Sequence, residues 1–332
     1  MDLQQRTKHF CAYVILCACL LRLLSSGLPG WIWEQMHQIN SERFLKYTET
    51  GRNVRFSSSP EKTLDHSRES PAPWIPLPER PVFGKEDVKM VQLYNTCGLQ
   101  PDLEALIEQP LAWDLTGKTP SVLILHTHTT ESYTKTEEIY EETTNYRTLD
   151  EGFNMLSVGD VVAAILEENG IGVIHDRQIH DYPSYNGSYV HARESTSRIL
   201  EENPSISLVL DLHRDASENE DGQLQTSAVV DGMRAAQLML VVGTNVSRQS
   251  HKNWEENLAV ALKLQIQLER RNPGIMRPLN LRPQRFNQDL CPGALLVEVG
   301  AAGNTRKEAL LAAKVLAEGI LALTGGTDAD RQ

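Results

Sequence analysis

The stretch Val122-Leu123-Ile124-Leu125-His126-Thr127-His128-Thr129-Thr130-Glu131-Ser132-Tyr133 opens on four apolar residues and closes on two histidines and a carboxylate. A short apolar run bounded by turn-forming polar residues reads as a strand buried on both faces, as in a parallel sheet. Ligands of open α/β sheets bind beyond the carboxyl ends of strands, so the polar residues mark where a site belongs. His128 and Glu131 stand in His-x-x-Glu spacing, which lets a tight turn bring an imidazole and a carboxylate onto one metal ion. His126 competes with His128 as the ligand, because residues two apart on a strand share a face.

Two further apolar runs end in the same way. In Leu208-Val209-Leu210-Asp211-Leu212-His213-Arg214-Asp215 the strand turns polar at His213. Period-two alternation puts Asp211 on the face of His213, where it can accept the far N–H of a histidine ligand. In Ala294-Leu295-Leu296-Val297-Glu298-Val299-Gly300 a carboxylate interrupts a run that is otherwise core. A buried ionised carboxylate is costly unless it finds a cation or shifts its pKa, and beside a metal it suits a general base. His128, Glu131 and His213 together supply three nitrogen and oxygen donors and leave a tetrahedral Zn2+ one open position. With Glu298 as base, the implied reaction is hydrolysis of an amide.

Between these runs lie amphipathic stretches, so the fold class is α/β with a largely parallel sheet flanked by helices. The strands expected are 121–125, 171–174, 206–212, 238–242 and 294–299. The helices expected are 158–169, stopped by Gly170, then 188–202, 253–271 and 305–323. A tyrosine-rich turn, Asp181-Tyr182-Pro183-Ser184-Tyr185-Asn186-Gly187-Ser188-Tyr189, precedes the second helix. Tyr185 and Tyr189 either line a sugar or peptide groove or pack a rigid loop on its own aromatics. Arg193 and Arg214 either grip a substrate carboxylate or form ordinary salt bridges. His175, His180, His191 and His251 read as surface or structural residues.

The N-terminus carries Arg6 and Lys8 ahead of an apolar run from Phe10 to Leu24, broken only by Arg22, with Trp31 and Trp33 beyond. A basic flank, an apolar run and interfacial aromatics suit an uncleaved membrane anchor over residues 1–33. Residues 34–84 read as an extracytoplasmic stalk, since Pro60, Pro71, Pro73, Pro76, Pro78 and Pro81 break any helix or ladder. The catalytic domain is placed at 85–324 and a tail at 325–332. The formal net charge of -12, with no basic stripe, excludes nucleic acid as a partner. Three of five cysteines fall in the apolar run, and Cys97 and Cys291 read as separate free thiols.

The motifs His126-Thr127-His128-Thr129-Thr130-Glu131-Ser132-Tyr133, His180 to Tyr189, Asp211-Leu212-His213-Arg214-Asp215 and Asn287 to Gly300 resemble, in order, those of the stage II sporulation protein P family. The resemblance covers about residues 90 to 324. It implies a three-layer α/β fold similar to zinc-dependent N-acetylmuramoyl-L-alanine amidases and zinc carboxypeptidases. It also implies a zinc cofactor and cleavage of the amide joining muramic acid to L-alanine in peptidoglycan, with endopeptidase activity on cross-links as an addition. The expected location is the mother-cell membrane, with the catalytic domain facing the intermembrane space, beside stage II sporulation proteins D and M during engulfment. In related amidases a ligand Glu lies just before the helix that follows the first histidine, which points near Glu151 as an alternative to Glu131. A zinc carboxypeptidase acting on stem peptides and a non-enzymatic cell-wall-binding scaffold are the competing readings. The first needs Arg193 or Arg214 to face the metal.

Overall fold

A computed structural model of the chain describes residues 80–324 except 112, 114, 116, 135–145, 220–221 and 248. The strands are β1 (Leu93–Asn95), β2 (Gly117–Leu125), β3 (Ile171–His175), β4 (Leu208–Asp215), β5 (Glu218–Asn219) and β6 (Gly222–Gln223). They continue with β7 (Ala228–Val230), β8 (Met233–Ala235), β9 (Leu238–Gly243), β10 (Leu279–Arg282) and β11 (Ala294–Ala301). The helices are α1 (Leu103–Glu108), α2 (Met155–Glu168), α3 (Ser188–Glu202), α4 (Trp254–Arg271) and α5 (Arg306–Thr324).

Seven strands form one sheet in the order β1-β10-β9-β11-β4-β2-β3, while β5-β6 and β7-β8 are separate two-stranded pairs. All neighbours in the large sheet run parallel except β9 and β11, which are antiparallel. The sheet is therefore mixed, and mostly parallel as expected. Each of the five expected strands and four expected helices forms, with ends shifted by a few residues; β1, β5 to β8, β10 and the short α1 are additions.

Strand alternation sorts side chains onto two faces. Val122, Ile124, Leu208, Leu210, Leu212, Leu240, Leu281, Val297 and Val299 enter one core with apolar residues of α1, α2, α4 and α5. On the opposite face Leu123, Leu125, Val209 and Ala294 pack with Ala192 and Ile199 of α3. Helices thus flank both faces. The second face is covered only near β2 and β4, and it stays open as a trough over β11, β9 and β10. Helix ends follow local chemistry. Asn154 caps α2 by accepting from the Leu156 N–H at 3.0 Å, and Gly170, at φ 82, ends the run where a side chain would be strained. Cys97 and Cys291 are free thiols. The anchor expected over 1–33, most of the stalk and the tail lie outside the described residues. Among the described residues, no helix is long and apolar enough to cross a membrane.

One core group titrates usefully. Lys263 of α4 is 3% exposed and donates to the Leu106 carbonyl of α1 at 2.7 Å. Burial lowers its pKa to about 8 from the usual 10.5. Below that value the fold must hold a charged amine that the unfolded chain solvates better, so stability is expected to rise with pH between about 8 and 10.5. Urea midpoints of wild type and Lys263→Met across this window check it. The wild type should gain on the variant as pH rises, and a constant gap would show that the amine is not strained by burial.

Candidate active site

Beyond Leu125 the chain leaves the sheet. Residues 127–130 form a turn, and short bridges tie Glu131 to Arg147 and Ser132 to Asn154. Asp211 fixes the turn from below, its carboxylate accepting from the Thr127 N–H at 2.8 Å and the Thr127 hydroxyl at 2.6 Å. Asp181 fixes it from the side by accepting from the Thr130 N–H at 3.1 Å and its hydroxyl at 2.7 Å. The turn presents His128 and Glu131 toward the trough, where β4 supplies His213 and β11 supplies Glu298.

The His128 and His213 rings stand edge to face, with centroids 5.2 Å apart. His213 lies between two carboxylates, its Nε2 2.9 Å from Asp211 Oδ1 and its Nδ1 3.5 Å from Glu131 Oε2. Burial disfavours the His213 cation, but Asp211 and Glu131 outweigh it and hold the pKa well above the usual value. Glu131 also receives the Arg214 backbone N–H at 3.2 Å and the guanidinium groups of Arg214 and Arg147, each at 3.4 Å. Burial pushes Glu131 up, yet Arg214 and His213 bring it down to about 2. His128 is lowered to about 4, chiefly by burial, and its Nδ1 is buried with no hydrogen-bond partner. Glu298 is the opposite case. Burial raises it to about 8, and its Oε2 is buried without a partner. Two carboxylates in one site are thus pushed apart, one firmly ionised and one able to take and release a proton near neutrality.

The expected tyrosines reach this site as well. Tyr185 stacks on His128 with centroids 4.5 Å apart and takes the Arg147 guanidinium at 4.6 Å from its ring centroid. Tyr189 meets the edge of His128 at 5.5 Å and lines the trough beside Phe286.

Four of the expected residues sit in other contacts. His126 does not share the face of His128, because period-two alternation ends where β2 gives way to the turn. Its Nδ1 lies 3.1 Å from the Leu212 carbonyl and its Nε2 2.9 Å from His175 Nε2, behind Gly159 of α2. A methyl at Gly159 would come within 2.7 Å of His126 Nε2, so the close helix approach gives this ring its slot. Glu151 pairs with Arg177 at 2.7 Å and is exposed. Arg177 binds Asp160, which in turn holds His175 at 3.1 Å, so Glu151 belongs to an outer network beside α2. Arg193 forms a two-pronged ion pair with Asp289 at 2.8 and 2.9 Å, which anchors α3 to the segment before β11. Arg214 is buried and engaged with Glu131, the Ser132 carbonyl at 3.0 Å and the Tyr146 carbonyl at 3.1 Å. Both arginines are thus engaged within the protein, the salt-bridge reading of the two the sequence left open. The sequence reading also missed Arg147, which sits between Glu131, Asp181 and Tyr185 but follows no apolar run that would have flagged it.

The donor set suits a transition metal of the zinc type. An orphaned imidazole nitrogen, a second imidazole and an ionised carboxylate face one trough, and nitrogen and oxygen donors of this kind are ones zinc accepts. Among the described residues, no three His, Cys, Asp or Glu side chains are already closed about one point. Binding a metal therefore requires the His128 and His213 rings and Glu131 to converge.

The family model described as Stage II sporulation protein P (SpoIIP) matches residues 35–321. The Stage II sporulation protein P of Bacillus subtilis (strain 168) is 30% identical over 214 residues, which cover 61% of this chain and 51% of that protein. The chain thus spans about half the length of the curated relative it matches. Among solved structures it is similar to the N-acetylmuramoyl-L-alanine amidase AmiC2 of Nostoc punctiforme, at 15% identity and a TM-score of 0.39, covering 62% of this chain and 97% of that one. It is also similar to the N-acetylmuramoyl-L-alanine amidase from Clostridium difficile 630, at 17% identity and a TM-score of 0.35, covering 62% and 94% respectively.

Proposed function

We propose that this chain, which belongs to the stage II sporulation protein P family, is a zinc-dependent peptidoglycan hydrolase that cuts the amide between N-acetylmuramic acid and L-alanine during sporulation. The observation that carries the reading is that His128, Glu131, His213 and Glu298 all line one trough, with buried atoms of His128 and Glu298 left without partners. His128, Glu131 and His213 would hold the metal. When bound, zinc supplies a Lewis acid that polarises the amide carbonyl and makes water a nucleophile near neutral pH.

The chain's own residues supply the rest. Glu298 takes the proton of the attacking water and returns it to the leaving alanine nitrogen as the C–N bond breaks, a role suited to a carboxyl group whose burial raises it to about 8. Asp211, 2.9 Å from His213 Nε2 and held by Thr127, orients the His213 ring. Arg214 and Arg147 keep Glu131 ionised, as a ligand must be. Tyr185 and Tyr189 supply aromatic walls on which a sugar ring or peptide can lie. A single-pass anchor at the N-terminus, an extracytoplasmic catalytic domain, and partnership with stage II sporulation proteins D and M complete the proposal. They rest on the apolar run at residues 10–24 and on family membership.

The test is release from purified peptidoglycan by the full chain, with and without a chelator, followed by mass analysis. Stem peptides with a free L-alanine amine, lost on chelation and restored by zinc, are expected. His213→Ala should lose both metal and release. Chelator-resistant release, or full activity in His213→Ala, would remove the metal mechanism.

A further inference from the structure

Across the open half of the sheet, away from the candidate metal ligands, the trough of about 520 Å³ continues over Leu296 of β11 and Val241 of β9 to Asn280 and Arg282 of β10. Register makes this a continuous floor, since Leu296 pairs with Val241 and Val241 with Asn280. The far end is unfinished in its hydrogen bonding. Arg282 Nε and Asn280 Oδ1 are both buried and lack partners, and the Arg282 side chain makes no ion pair among the described residues. Its neighbour Arg277 differs, being held by Asp215 at 2.7 Å. Buried polar atoms without partners are rare in folded proteins, and a guanidinium facing a cleft is a ready fork for a carboxylate.

We propose that Arg282 is the subsite that receives a carboxylate of the peptide portion of the substrate, with Asn280 Oδ1 beside it to accept an N–H of the same peptide. The inference rests on the hydrolase reading and names what that site recognises. Three strand spacings of about 4.8 Å separate β10 from β4, and Arg282 stands four residues further along the sheet than the row of Met239, Glu298 and His213, so its backbone lies about 19 Å from that of His213. That is the reach of about four extended residues together with the length of the arginine side chain. A carboxypeptidase holds the carboxylate of the residue next to the cut bond, which is far too close. An extended stem tetrapeptide whose first residue lies at the scissile amide spans this distance when the Arg282 side chain reaches out to its terminal carboxylate.

The probes are the synthetic tetrapeptide L-Ala-γ-D-Glu-L-Lys-D-Ala and the same peptide with its terminal carboxylate amidated, titrated calorimetrically into the full chain. Neither contains the muramyl amide, so binding is read without hydrolysis. Wild type is expected to hold the acid about 10- to 100-fold more tightly than the amide. Arg282→Gln should abolish that preference by weakening the acid alone, while Arg282→Lys should keep part of it. Equal affinity of wild type for the two peptides, or binding of neither, overturns the subsite without recourse to any variant. Equal weakening of both peptides by Arg282→Gln, in a variant whose thermal unfolding matches wild type, overturns it too. A persistent acid preference in a chain that releases nothing from peptidoglycan would sink the hydrolase reading and leave the carboxylate site standing.

Discussion

Glu298→Gln is expected to cut peptidoglycan release by about 10²- to 10⁴-fold while bound metal stays at the wild-type level. The amide keeps the shape and one oxygen of the side chain but cannot take a proton from water. Glu298 lies on β11 directly across from His213 of β4 and Met239 of β9, so its position is set by the sheet and should survive the change. Its Oε2 is buried without a partner, and burial raises the group to about 8, which marks a carboxylate that the fold tolerates at a cost. The variant is therefore expected to melt no lower than wild type at pH 7 to 8. Metal content, melting temperature and release measured on one preparation decide the matter. Loss of metal together with activity would reassign Glu298 as a ligand, and retained activity would remove it from the chemistry.

Tyr133→Ala is expected to lower the unfolding free energy by about 3 to 5 kcal/mol. Its side chain is among the largest that the fold buries completely, at 1% exposure, and its hydroxyl donates to the Val299 carbonyl at 2.8 Å and approaches Met155 Sδ at 3.6 Å. The contact joins the segment just after Glu131 to the residue just after Glu298. Truncation would open a cavity and also loosen the two carboxylates relative to each other. Tyr133→Phe keeps the ring and should cost about 1 to 2 kcal/mol, mostly for the unpaired carbonyl. Urea denaturation of both variants checks the order. An Ala variant that loses less than 1 kcal/mol would mean that the segment carrying Glu131 is not held through this residue.

Much of the architecture is legible in the chain because burial on both faces leaves a local trace. Leu208, Leu210 and Leu212 alternate with Val209, Asp211 and His213, and the structure sends the first set into the main core and the second to the other face. The same alternation makes Glu298 conspicuous inside β11. Strands of this kind, followed by amphipathic stretches, leave little choice of fold class. β10 was harder to see. Leu279-Asn280-Leu281-Arg282 is four residues long and lies between Pro278 and Pro283, so its pattern is too short and too punctuated to stand out.

What the sequence by itself determined is therefore the order of the long strands and helices, the core face of each long strand, and the three strand ends at which polar residues collect. The tertiary structure decided which of those residues meet. The choice of His128 over His126 depends on a turn that breaks the two-residue period. The engagement of Arg214 with Glu131 spans 83 residues of chain, and that of Arg193 with Asp289 spans 96. The open trough ending at Arg282 exists because α3 covers only part of one face. Periodicity reports how a residue sits on its own element, whereas these outcomes depend on pairings between distant elements, which only the folded chain brings within bonding range.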